Sequence, residues 1–284
     1  MSGRVVRVAG TDTIVVPGAR VVLHRVTVRS PGPVDSAVSD TRGSFRFTVV
    51  PDTGAVYLVS AKWAGIQYFG TPLALQTGGP PGVVTLVVAD TSSLAPVRLV
   101  ARHLIVSPVN SDGVRDVVDL MVLENPGSVT RVGSDSLHPT WRMLLPHFAV
   151  NIHGGNSSFS LESLVLAGDA IALFAAIPPG SHDVEIDYQI PPNSRRFEVP
   201  VDEDVPASNI ISEDREMVVH GAYTRSDTVI EKKPYVRWKG RMTAGQPVVL
   251  QFGRAGIPNW VLPAMIAMMA VALVGVTIRG TRAR

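Results

Sequence analysis

The sequence predicts a mainly β chain, tandem β-sandwich domains followed by one C-terminal transmembrane helix, and three observations predict it. Short alternating apolar runs separated by Gly and Pro fill residues 4–89, the same texture resumes at Val97, and a run without formal charge extends from Ala255 to Ile278. The 284 residues approach two domains of ~150 each, and 45% apolar against 18% charged residues is enough to bury real cores. The absence of cysteine excludes a disulfide framework, thiolate zinc sites, iron–sulfur ligation and Cys nucleophiles together. Three of the 26 Lys and Arg (Arg279, Arg282, Arg284) lie in the last six residues, and the other 23 face 24 acids, so residues 1–278 carry −1. A basic field for nucleic acid is therefore absent from the body. Only four of the basic residues are Lys (Lys62, Lys232, Lys233, Lys239), as in a GC-rich bacterial coding sequence.

The first region reads as roughly seven strands at 5–8, 13–16, 20–28, 44–50, 56–63, 66–69 and 83–88, which in under 90 residues means a sandwich. Pro17-Gly18 makes a turn, after which Ala19, Val21 and Leu23 share one face. In Ser39-Asp40-Thr41-Arg42-Gly43-Ser44-Phe45-Arg46-Phe47 the Asp accepts backbone N–H groups, the Gly takes positive φ, and Phe45 and Phe47 point the same way.

These residues resemble the carboxypeptidase regulatory-like family, a transthyretin-like β-sandwich. Its Gly-Ala-x-Val-x-Leu strand matches Gly18 to Leu23, and its Thr-Asp-x-x-Gly-x-Phe hairpin matches Ser39 to Phe45 with Ser39 in place of Thr. Its Tyr-x-Val strand leading to Gly and an aromatic matches Tyr57, Val59, Gly65 and Tyr68. The resemblance covers residues 1–90 and implies an appendage without catalytic residues, used for contacts or as a rigid spacer.

The stretch 89–96 is polar, ends at Pro96 and is the best boundary. Residues 97–253 form a second β-rich sandwich region, with a candidate split near 192 at Pro191 to Arg195. Strands are read at 97–106, 117–123, 160–166, 170–176, 184–188, 197–201, 217–220, 235–238 and 248–252, with turns at Asn125-Pro126-Gly127, Pro178-Pro179-Gly180 and Pro191-Pro192.

Residues 257–278 would span ~33 Å as a helix at ~1.5 Å per residue, enough to cross a bilayer. Trp260 heads the run at the interface, Pro263 falls in the first turn, and Ala264, Met268, Val271 and Gly275 lie within a segment that is apolar on every face. Gly275 and the alanines give surfaces for a second helix. Arg279, Arg282 and Arg284 follow in a basic tail, 279–284, that leans toward a cytoplasmic C-terminus. The start at Met1 lacks the n- and h-regions of an export signal, so either a signal peptide has been removed and the body is periplasmic, or the chain is tail-anchored with a cytoplasmic body. The all-β, cysteine-free body favours the first, at a bacterial inner or intracytoplasmic membrane.

No complete catalytic set is visible. Ser181, His182 and Asp183 are adjacent on a strand and point to opposite faces, which forbids a nucleophile–base–orienter chain. His153-Gly154-Gly155-Asn156 has no Gly-x-Ser-x-Gly elbow to serve, and His147 and His153 lack a third ligand at metal spacing. Glu185 and Asp187 share a strand face but read as a wet sheet surface. From Glu198 to Glu216 there are seven acids and one Arg. Asp202, Glu203 and Asp204 are the candidate partner-binding loop there, for a basic partner or a calcium ion, against the plainer reading of a solvated loop. No cofactor is implied.

The readings from different classes are a non-catalytic membrane-anchored accessory subunit, an envelope binding module for glycan or peptide, and an enzyme. The first fits best, with integral-membrane subunits and the lipid bilayer as partners. The arrangement resembles accessory subunits of photosynthetic and respiratory complexes in GC-rich bacteria, including those around a gemmatimonad reaction centre and its light-harvesting ring.

Overall fold

Alternation of buried and exposed side chains organises the first nine strands of the computed structural model, which describes residues 1–10, 12–27, 32–79 and 82–253. They are β1 (Ser2–Ala9), β2 (Asp12–Val15), β3 (Arg20–Val26), β4 (Gly32–Val38), β5 (Ser44–Arg46), β6 (Val56–Trp63), β7 (Ile66–Phe69), β8 (Leu73–Ala74) and β9 (Val83–Val88). In one sheet β1 takes β2 and β5 antiparallel and β9 parallel. The other has the order β4-β3-β6-β7, with β8 also on β6. Val5, Val21, Leu23, Tyr57, Val59 and Leu86 fill the space between them. Phe45 and Phe47 join this core 5.6 Å apart, as their shared face predicts. Gly18 and Gly43 both take φ 72°, and Asp40 accepts the N–H groups of Arg42 and Ser44 at 2.8 Å each, which pulls its pKa below the usual carboxylate value. Ser39 is buried; its hydroxyl donates to Val16 O and accepts from Ala19 N–H, stitching both sides of the first turn.

β4 was not legible in the sequence. No residue of it is fully buried, so it shows no period-two pattern, and its Pro33 suits the sheet edge where it lies.

The link is structured: Thr91–Ser92 is β10, paired in parallel with β13 (Thr130–Arg131) of the second region. Asp90 pairs with Arg7 and accepts the Trp63 indole N–H at 3.0 Å, both from the first sandwich. The Tyr68 hydroxyl donates to Ala89 O at 2.8 Å and lies 2.7 Å from Thr130 Oγ1, which leaves the threonine hydroxyl as the donor to it. These contacts join the two sandwiches directly.

The second region consists of β11 (Arg98–Val106), β12 (Arg115–Asn125), β13, β14 (Trp141–Leu144), β15 (Val150–Gly154), β16 (Leu164–Ala167), β17 (Ala170–Leu173), β18 (Gly180–Ile190), β19 (Arg196–Val199), β20 (Val205–Ser212), β21 (Val218–His220), β22 (Thr224–Ile230), β23 (Lys233–Met242) and β24 (Val248–Gln251), with one 3-10 turn at Leu161–Ser163. A seven-stranded sheet, order β15-β18-β12-β11-β20-β23-β22, is accompanied by the three-stranded sheets β14-β17-β16 and β19-β24-β21. One buried cluster runs from Leu99 to Phe252, so residues on both sides of 192 share a core. The register fixes its two ends. Asn125 pairs with Gly180 beside the joint to the first sandwich, and Arg115 pairs with Ile190 at the opposite end.

Five strands of this region, β13, β14, β15, β20 and β22, were not in the sequence expectation. β20 matters most: the acid-rich stretch read as a solvated loop contains a central strand, parallel to β11 and antiparallel to β23. Its inward positions include Ser208 and Ser212, both buried, so polarity hid the alternation. The Ser212 hydroxyl is satisfied by donating to Val106 O at 2.8 Å.

Among the described residues no helix is long and apolar enough to cross a membrane. The span read at 257–278 and the tail 279–284, with Trp260, Pro263, Ala264, Met268, Val271, Gly275, Arg279, Arg282 and Arg284, lie outside the described residues.

Candidate functional site

The joint between the sandwiches leaves a cleft of about 620 Å³. On one side stand β7 and the end of β9, which are free edges of the two sheets of the first sandwich. On the other stand residues 158–160, 175–176, 178–179 and His182. The lining is mainly apolar, with Phe69 57% exposed and Phe159 packed on the His182 ring at 5.4 Å. His24 approaches Phe69 at 6.2 Å from behind. His182 Nε2 lies 2.9 Å from Pro178 O, which can only accept, so Nε2 is the donor in that bond. Ser158 Oγ accepts Asp183 N–H at 3.0 Å. The cleft thus offers the rings of Phe69 and Phe159, the Pro178–Pro179 pair and a few polar atoms.

Each carboxylate of the acidic loop is engaged internally. Asp202 Oδ2 accepts Leu144 N–H at 2.6 Å, Glu203 accepts Leu99 N–H at 3.2 Å and the Trp141 indole N–H at 3.4 Å, and Asp204 Oδ1 accepts Ala244 N–H at 2.9 Å. Val201 and Val205 are buried at either end. The loop therefore links the small sheets to the large one by capping orphan donors. Among the described residues no group of three His, Asp or Glu is placed to hold a metal ion.

The other motifs are dispersed. Ser181 and Asp183 flank His182 on β18, and the histidine is committed to Pro178. Glu185 and Asp187 do share a face, where Glu185 accepts Asn156 N–H at 3.0 Å and Asp187 faces His153 at 3.5 Å. Burial, then the charge of Glu185, raises the Asp187 pKa above the usual carboxylate value. His147 lies edge-on to Phe148, away from His153 in β15.

Sequence reasoning missed a buried ion pair. Arg102 on β11 donates to both carboxylate oxygens of Asp119 on β12, at 2.6–3.2 Å, and to Pro200 O at 2.7 Å, with the two side chains 1% and 0% exposed. Tyr188 lies close by, its pKa driven well above 10 by burial and then by the Asp119 charge. An Asp flanked by Val118 and Leu120 in a strongly alternating strand was the available signal.

The fold and site define a mainly β, multi-sheet protein with a cleft at its inter-sandwich joint. No protein-family model matches the chain, and no curated protein matches it.

Proposed function

We propose that the chain is a non-catalytic, membrane-anchored accessory subunit of a larger integral-membrane complex, photosynthetic or respiratory. In this reading a carboxypeptidase regulatory-like first sandwich is held off the periplasmic side of the membrane by the second. One observation carries it. The described residues end at Phe252 and Gly253, on the end of the second sandwich opposite the first, and the charge-free run of the sequence begins two residues later at Ala255. Phe252 is buried and fixed, its N–H donating to Arg195 O at 3.0 Å and its ring under the Arg115 guanidinium at 4.4 Å. A chain leaving from a fixed end, away from the cleft, suits a tether.

Mild detergent extraction followed by size separation tests this. Co-migration with a large pigmented or haem-bearing complex supports it, and a lone 30.3 kDa chain overturns it. Sidedness is tested by adding protease to intact spheroplasts: digestion of the body supports the periplasmic orientation, and full protection establishes the tail-anchored one.

The aromatic cleft favours a second reading, an envelope module that binds an apolar peptide; glycan binding fits less well because few free polar atoms line it. Replacement of Phe69 by Ala would abolish peptide capture in that case and leave co-migration with a complex unchanged.

A further inference from the structure

The end of the second sandwich from which the chain departs carries its own apolar rim. Three loop tips project there, and register places each of them. The connection between β11 and β12 bears Val109, 43% exposed, which lines the same hollow as Gly253. Phe148, 70% exposed, precedes Val150, whose partner Gln189 is one residue from the end of β18. Val229 and Ile230, both exposed, close β22 against the two-residue turn Glu231–Lys232, where both residues take positive φ. From β15 to β22 the sheet has six inter-strand steps, ~29 Å at ~4.8 Å each, so the tips form a row rather than a spot.

The position of the exit says what this row meets. Ile257 lies four residue steps after Gly253, and four steps carry a chain at most ~14 Å. Phe252, one residue before, is held by its N–H bond to Arg195 O and by the Arg115 guanidinium over its ring. A span beginning at 257 therefore brings Val109, and the row that contains it, down to the bilayer surface.

We propose that this rim is a lipid-contact surface, with Val109, Phe148 and Ile230 entering the interfacial layer of the bilayer. The inference rests on the membrane-anchored reading above. Exposed aliphatic and aromatic tips gain by leaving water for the headgroup–acyl boundary. The charges around them are mixed. Arg115 pairs with Asp214 at 2.7 Å and Arg196 with Glu198 at 2.8 Å, while Arg195, Arg215, Lys232 and Lys233 stand against Asp112, Glu213, Glu216 and Glu231. The contact is accordingly apolar and needs no anionic lipid.

The lack of cysteine makes the test direct. Full chains carrying V109C, F148C or I230C, and L94C at the distant joint as control, are labelled with an environment-sensitive fluorophore. They are then reconstituted into phosphatidylcholine vesicles with and without a headgroup-proximal nitroxide lipid. The expected result is at least twofold quenching at 109 and 148, none at 94, and no change when phosphatidylglycerol is added. Chains that float with the vesicles while labels at 109 and 148 remain as water-exposed as at 94 overturn the lipid contact and leave the anchor standing. Chains that fail to float overturn both. Quenching that appears only with phosphatidylglycerol refutes the apolar mechanism.

Discussion

Replacing Arg102 by Met tests the core of the second sandwich most sharply. The side chain keeps most of its volume and loses its charge and all its donors, leaving Asp119 at 0% exposure with no cation. Two routes bound the cost. Keeping an unpaired carboxylate buried costs ~3–5 kcal/mol, by analogy with other broken buried pairs. Neutralising it at pH 7, about three units above the ordinary aspartate value, costs ~4 kcal/mol at 1.36 kcal/mol per unit. The cheaper route wins, so the loss is ~3–4 kcal/mol at pH 7. For a unit of this size that lowers Tm by roughly 10 °C. Trp141 and Trp238, both in that core, report the transition by fluorescence in thermal unfolding of the detergent-solubilised chain. The double variant Arg102→Met with Asp119→Leu should recover most of the loss, less ~1 kcal/mol for the donor withdrawn from Pro200 O. A single variant within 1 kcal/mol of the parent, or a double variant as unstable as the two singles added, refutes the reasoning.

Tyr68→Phe removes the donor to Ala89 O and the acceptor for Thr130 at the joint. A loss of ~1.4 kcal/mol there means roughly tenfold faster protease cleavage in residues 89–96, and unchanged cleavage would show that the joint is held elsewhere. Glu203→Ala orphans Leu99 N–H and the Trp141 indole, and should cost ~1–2 kcal/mol in urea unfolding; a neutral result would return the loop to the solvated reading. Burial lowers the His103 pKa, so the folded state resists protonation of that ring. Its contribution to stability is full above pH ~6.5 and declines as pH falls through the lowered value. His103→Gln should flatten Tm against pH below about 6.5, and a parallel profile would remove His103 as the source.

Where apolar residues alternate with polar ones, strands were legible from the chain alone. Val21, Leu23, Phe45 and Phe47 reach the core that their spacing assigns, and Gly18 and Gly43 take the turns that only a residue without Cβ adopts freely. What failed to show was anything decided by distant partners. β20 turns Ser212 inward because Val106 O of the neighbouring β11 accepts its hydroxyl hydrogen bond, and the linker Thr91–Ser92 becomes a strand because Thr130–Arg131 lies beside it. Asp202, Glu203 and Asp204 looked free for a partner since a sequence does not display orphan N–H groups. The cleft is harder still: Phe69 and Phe159 are 90 positions apart, and no local period relates them.

The length of β18 has an electrostatic consequence. Its eleven residues, from Gly180 beside the cleft to Ile190 beside the exit, put roughly 34 Å between the two at ~3.4 Å per residue. At physiological ionic strength the Debye length is ~8 Å, so if the chain is membrane-anchored as proposed, the potential of an anionic leaflet at the exit falls over four screening lengths to about 2% of its surface value. A molecule entering the cleft would meet the same aqueous environment whatever the lipid composition below. Its affinity would then follow the first sandwich and the loops beside the joint alone.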